Sequence, residues 1–277
     1  MSRRGSDAPV QVRALLILAA ALLLAACGSA TVAPPQPISL TIAASSSAKP
    51  VIQALSDNFS AANPQISFEI IVANSTRSLE HLAAGEADIA IVSHLPPDAK
   101  GFRQTPLARD ALLLIVHPDN PVDNLTPAEL ATLYSGRIYK WRKAEGFSEG
   151  VQVVVRERTS GLRAVFNEAV MDGERITPNA RVFPNGKAVA RYVSQERGAI
   201  GYISAADLSD AVKIITLNGV SPSPENLQNQ AYPLACTLYA VTAPEASAEL
   251  KDFMNYLRSS AGQAVVQAQG MVSAAER

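Results

Sequence analysis

Apolar positions in this chain fall into short unbroken runs, separated by stretches of helical period and by turns marked with serine, glycine or proline. Residues 38–43 (ISLTIA), 66–72 (ISFEIIV) and 87–92 (ADIAIV) have the length and β-branched content of strands. Between the first two, Pro50 suits the first turn of a helix, Ile52, Leu55 and Phe59 share one face, and Asn63-Pro64 ends it. Between the second and third, residues 79–84 read as a short helix closed by Gly85. Strand, helix, strand, helix, strand predicts a parallel sheet covered on both faces.

The same alternation continues. Residues 111–116 (ALLLIV), 151–155 (VQVVV), 199–203 (AIGYI), 212–217 (VKIITL) and 232–242 predict strands, the last of them long. Thr126-Pro127-Ala128-Glu129 is a capping box with proline at the first helical position, and its helix runs to Tyr134. Residues 162–171 predict a helix with Leu162, Val165, Phe166 and Ala169 on one face. A further helix opens at Asn185-Gly186 and runs through Arg197. Residues 221–229 read as a loop, and 247–258 and 261–269 as two amphipathic helices. No internal repeat is present that would suggest a solenoid.

The first residues follow a different pattern. Arg3, Arg4 and Arg13 precede an apolar run over 14–26, a charged and then hydrophobic leader too short to span a membrane comfortably. It ends in Leu24-Ala25-Ala26-Cys27, which resembles the bacterial lipobox. That resemblance implies a lipoprotein signal peptide over 1–26, a lipid on Cys27, a small-residue and proline-containing tether over 27–37, and an extracytoplasmic protein held to the cell membrane. A plain secretory signal or an uncleaved anchor is the other reading.

Composition narrows the function classes. Of 277 residues, 48% are hydrophobic and 18% charged, which suits a globular body with a sizeable core and excludes wholesale disorder. The net charge is −1; Arg3, Arg4 and Arg13 against Asp7 give the first 26 residues +2, so the remainder carries −3. A mildly acidic body has no electrostatic footprint for nucleic acid, and any anion must be held by local geometry. Cys27 and Cys236 lie in unlike contexts, neither with metal-ligand spacing, and Cys236 reads as a buried small hydrophobe.

Three turns carry the candidate chemistry: Ser45-Ser46-Ser47, Asn74-Ser75-Thr76-Arg77-Ser78 and Arg156 through Leu162. Each follows a predicted strand and precedes a helix, where an open α/β sheet binds ligands. Each offers hydroxyls and free backbone N–H groups, and two add a guanidinium, Arg77 or Arg156, whose planar fork suits an oxyanion. One such turn is ordinary helix capping; three together point to anion binding. His81 and His117 read as structural, and neither a nucleophile elbow nor a phosphate-loop lysine pattern occurs.

Several stretches are similar to the PstS-like phosphate-binding proteins that serve ABC transporters. They include Gly85-Glu86-Ala87-Asp88-Ile89-Ala90, Ala108-Arg109-Asp110-Ala111, His117-Pro118-Asp119-Asn120-Pro121, Leu133-Tyr134-Ser135-Gly136-Arg137-Ile138 with Trp141, and Gly198-Ala199-Ile200-Gly201-Tyr202. The resemblance implies an α/β fold of two Rossmann-like lobes joined by two crossing hinge strands, the type II periplasmic-binding architecture. Lobe I would be 38–112 plus 236–277, lobe II 113–235, with hinge strands near 113–116 and 234–239.

It also implies capture of a small oxyanion, phosphate above the others, and delivery to an ABC permease. The protein would act as a monomer without catalysis, cofactor or metal. Carried over residue by residue, Ser46 and Ser47 match the first phosphate loop and Ser75 the second. Arg156, Ser160 and Gly161 match the third. Leu162 stands where the family usually has threonine, and His94 where one branch places an acidic acceptor. His94 and Arg77 complete the candidate ligand-binding set. The alternatives from other classes are a secreted phosphatase or hydrolase using a serine of these loops, and a sensory lipoprotein that keeps the fold without transport.

Overall fold

The computed structural model describes residues 37–96, 99–141 and 147–274, apart from the Lys100 side chain; the expected leader, Cys27 and most of the tether lie outside the described residues. Among the described residues, no helix is long and apolar enough to cross a membrane.

From Pro37 onward the chain forms one compact unit. It opens with β1 (Ile38–Ala44), α1 (Lys49–Ala62), β2 (Ile66–Val72), α2 (Ser75–Ala83) and β3 (Ile89–Val92). β1 lies between β2 and β3, parallel to both, with Ala44 level with Val72 and Ile91. Pro50 stands in the first turn of α1, whose buried Val51, Ile52, Leu55 and Phe59 face the sheet. Gly85, at φ +73, turns the chain out of α2 in a conformation that a side chain resists.

β4 (Arg103–Val116) is far longer than its apolar run suggests. Its first half pairs antiparallel with β10 (Ala235–Thr242) and is largely solvent-facing, so no hydrophobic pattern announces it. Pro106 is accommodated opposite Tyr239, beside the register shift that leaves Leu238 opposite Ala108. The second half, Leu112 to Val116, is fully enclosed and pairs with β8 (Ala199–Ser204) and β9 (Lys213–Leu217).

Between these strands run β5 (Asn124–Leu125), α3 (Pro127–Tyr134), β6 (Gln152–Arg156), α4 (Gly161–Phe166), β7 (Arg181–Phe183) and α5 (Gly186–Val193). After β9 come α6 (Pro224–Gln228), β10, α7 (Ala248–Arg258), α8 (Ser260–Ala268) and β11 (Val272–Ser273). α6 falls inside the stretch expected to be loop; Ser223 caps it and Pro224 starts it. The capping box of α3 is formed in both directions between Thr126 and Glu129. The strand order β2-β1-β3-β10-β4-β8-β6-β7 joins two parallel sets through the antiparallel pair β10 and β4.

Two large hydrophobic cores follow from that order, beside a small cluster of Leu82, Ala90, Val92 and Val241. One gathers Leu40, Ile52, Phe59, Leu107, Ala108, Leu238 and Phe253. The other gathers Leu112, Tyr134, Val154, Phe166, Tyr202, Leu234 and Cys236. The change of core falls between Ala108 and Ala111 on β4, and between Cys236 and Leu238 on β10. Asp110 sits at this crossing, 3% exposed, accepting from Ser204 Oγ at 2.5 Å and from the Ala205 N–H at 3.2 Å. Burial pushes its carboxyl up to about 6, against the pull of those donors. Trp141 belongs to the second core, its Nε1–H donating to Gly198 O at 3.0 Å.

Candidate anion site

In each half, parallel strands deliver polar turns to one edge of the sheet. β1, β2 and β3 end together, and the turns at Ser45, Asn74 and Ser93 leave from that edge. In the other half, β6 ends at Arg156 beside its parallel neighbours β7 and β8. The C-terminal edge of parallel strands is where backbone N–H groups of following helices converge.

The second and third turns meet. Asn74 caps α2, its Oδ1 accepting from the Arg77 N–H at 3.1 Å, while its Nδ2 donates to Thr159 Oγ1 at 2.9 Å. Thr76 Oγ1 donates to Thr159 O at 3.4 Å. Ser160 caps α4, accepting from the Arg163 N–H at 3.4 Å. Ser75 is buried, and its Oγ accepts from the Ser93 N–H at 3.4 Å. Gly161 completes the junction: a β-carbon there would overlap the hydroxyls of both Ser75 and Ser93. The position admits glycine because two turns from opposite halves touch at it.

A cavity of about 530 Å³ opens beside this junction, lined in part by Ser75, Thr76, His94, Thr159, Ser160 and Gly161. Of the expected site residues, the structure therefore brings together Ser75, Ser160, Gly161 and His94. Ser46 and Ser47 do not line the cavity; Ser47 is buried, with its Oγ 3.1 Å from that of Ser45. Ser45, which sequence reasoning treated only as part of the turn, bonds the Ala48 N–H at 3.2 Å.

The two arginines differ. Arg77 points into solvent, 69% exposed in its side chain, with its Nη1 2.6 Å from Glu80 Oε2. It does not line the cavity. Arg156 is buried at the end of β6, its side chain 5% exposed. Its Nε and Nη2 grip Glu157 side-on, both at 3.0 Å, and Nη2 also donates to Pro184 O at 3.0 Å. The guanidinium lies outside the cavity lining, behind the turn. Arg163 Nη1 adds a 2.6 Å bond to Arg156 O, and the Arg156 N–H reaches Tyr202 Oη at 3.4 Å. Asp207 lies nearby; burial raises its carboxyl, and the charges of Arg156 and Lys187 oppose that shift.

Leu162 is core, 4% exposed. The helix it starts is shorter than expected. After Phe166 the chain widens into a single π-turn, Asn167–Met171, ended by Asp172 at φ 42. The wide turn lets Phe166 and Met171, five residues apart, both enter the core. It also sets Glu168 Oε1 3.5 Å from His94 Nδ1, a contact between the two halves. Sequence reasoning missed Glu168, because a continuous helix gave no reason to place it there. Ser93 was also missed, although its position just after a strand end carried the same signal as the other turns. Among the described residues, no group of three or more histidine, cysteine or acidic side chains is arranged to hold a metal.

The family model described as a PBP superfamily domain matches residues 30–261. The phosphate-binding protein PstS of Bacillus subtilis is 28% identical over 231 residues, covering 80% of this chain and 75% of that protein. The protein SphX of Synechococcus elongatus is 26% identical over 249 residues, covering 80% and 74%. A Clostridium perfringens structure, solved with bound phosphate and described as a phosphate ABC transporter substrate-binding protein, superposes with a TM-score of 0.81 at 30% identity. It spans 86% of this chain and 100% of that one. An ABC-type phosphate transport receptor from Vibrio cholerae superposes with a TM-score of 0.72 at 26% identity, over 84% and 99%.

Proposed function

The chain belongs to the PBP superfamily, in its PstS-like phosphate-binding branch, and we propose that it captures phosphate between its two halves and hands it to an ABC permease. The observation that carries this reading is the meeting of Ser75 with Ser160-Gly161 at one cavity. α2 and α4 start there, and the first N–H groups of a helix have no acceptor within it. An anion between them takes N–H groups and hydroxyls from both halves at once, so binding and closure are one event. Ser46 and Ser47 leave from the same sheet edge but stand outside the cavity, so Ser75 carries the first half of the cradle. Arg156 backs the second half from behind, its orientation fixed by Glu157. His94 stands at the rim. Arg77 takes no part.

On this reading the protein acts by binding, not by covalent chemistry. It works outside the cytoplasm as a monomer, held to the membrane by a lipid on Cys27, with lobes that divide between Ala108 and Ala111 on β4 and between Cys236 and Leu238 on β10, a few residues from the 112 and 236 that the sequence implies. Calorimetry of the mature chain against phosphate, sulfate, molybdate and tungstate tests it. Saturable heat from phosphate at one site, with the weakest response from the fully ionised anions, is expected. Silence from all four anions, with no rise in melting temperature, overturns it.

A further inference from the structure

Away from the cleft, β4, β10 and α7 enclose a groove of about 980 Å³ that phosphate capture does not use. Four cations line it: Arg103 and Arg109 from β4, Lys251 and Arg258 from α7. Among the described residues no carboxylate does, although the whole chain carries slightly more acidic than basic residues. Arg103, Lys251 and Arg258 are exposed and form no ion pair among the described residues. Arg109 spends one nitrogen on Leu227 O at 3.4 Å. Cations on a surface ordinarily scatter among carboxylates; here four converge on one concavity.

Two further features mark the groove as built. α7 has two stripes: Leu250, Phe253 and Leu257 enter the core, while Lys251, Met254, Asn255 and Arg258, at helical spacing, face the groove. Thr242 lines the wall at the end of β10, and its buried hydroxyl has no hydrogen-bond partner among the described residues. Buried hydroxyls nearly always have one.

We propose that this groove is a second anion site, which takes a chain of contiguous phosphate groups. Arg103 and Arg109 stand six residues apart on one strand, roughly 20 Å at about 3.3 Å per residue, so the cations are strung out along the groove and do not focus on a point. A single orthophosphate engages one or two of them; a linear oligophosphate engages all four. Among the described residues the lining offers charged donors and no charged acceptor. That suits a ligand made of acceptors, such as a phosphate chain, better than an acidic peptide, which brings an N–H with every carbonyl. The volume is that of a small-molecule site. The source is either inorganic oligophosphate or an organic polyphosphate, whose ring would rest on Tyr239 and Met254.

The test is calorimetry on residues 27–277 carrying Cys27→Ser, which include the whole compact unit from Pro37. With orthophosphate held saturating, tripolyphosphate is expected to bind one further site, more weakly as salt rises. Combined Arg103→Glu, Lys251→Glu and Arg258→Glu substitutions are expected to weaken it at least 100-fold, while the response to orthophosphate alone stays unchanged. Equal binding of ATP assigns the site to the phosphate chain itself; tighter binding of ATP assigns it to organic polyphosphates. Heat from tripolyphosphate that vanishes under orthophosphate, or that survives the triple substitution, overturns the proposal, as does tighter binding of polyglutamate. A chain that ignores orthophosphate but binds tripolyphosphate sinks the cleft reading and leaves this one standing.

Discussion

The turn at Asn74–Arg77 and the turn at Arg156–Leu162 look alike as sequence. Each has an arginine and a serine, and each joins a strand to a helix. In the fold they divide the work. The first places its arginine in solvent, beside Glu80, and contributes a buried serine. The second buries its arginine against Glu157 and contributes a cap and a bare backbone. The difference teaches that guanidinium charge is not what joins the halves. The contact is made mainly by small groups, two serine hydroxyls, Thr159 and a glycine, with the Asn74 amide on Thr159 and Glu168 beside His94.

Gly161 is where that contrast breaks most easily. Gly161→Val inserts branched carbon where the Ser75 and Ser93 hydroxyls lie. Phosphate affinity is expected to fall at least about 1,000-fold, roughly 4 kcal/mol, by calorimetry. Melting is expected to fall as well, because the Ser75 and Ser93 hydroxyls already stand where the new carbons would go.

The joint between the halves comes next. Asp110 has its carboxyl raised to about 6 from an ordinary 3.8 by burial. An acid whose value is raised in the fold adds stability below the unfolded value and loses it as pH rises through the folded one. Between about pH 4 and 6, its share of stability therefore falls with rising pH, by on the order of 3 kcal/mol. Melting curves of the native chain and Asp110→Asn, compared across that window, are expected to diverge, with the asparagine form the flatter.

Ser160→Ala removes the cap of α4 and one proposed anion contact. A loss of about 1 kcal/mol in stability is expected from the cap alone. Phosphate affinity is expected to fall further, and a drop in melting temperature without a drop in affinity counts against the cradle. Arg77→Ala is expected to do least, leaving both melting temperature and phosphate affinity essentially unchanged, because its pair with Glu80 is solvent-exposed.

Much of this was legible before any coordinates. The strand–helix alternation over β1 to β3 was plain because each strand is a short run dominated by apolar, β-branched residues; β3 is buried throughout and β1 over its second half, while β2 is the half-exposed edge. The capping box at Thr126 stood because it is satisfied within four residues. The first half of β4 was not legible, because its side chains face the groove and solvent and so carry no hydrophobic period. Nor was the π-turn after Phe166, whose cause is the packing of Met171 in a core assembled from distant strands. The site divided the same way. Ser75, Ser160 and Gly161, expected from turns between strand and helix and from the family resemblance, meet at one cavity. The fates of Arg77 and Arg156 were hidden, since both depend on how deep each sheet edge lies, and nothing local encodes that depth.

The most direct test is the structure of the protein crystallised with phosphate. One anion is expected within about 3 Å of both Ser75 Oγ and Ser160 Oγ, with Gly161 still against Ser75. An anion held by one turn alone, or bound elsewhere with these serines apart, would contradict it.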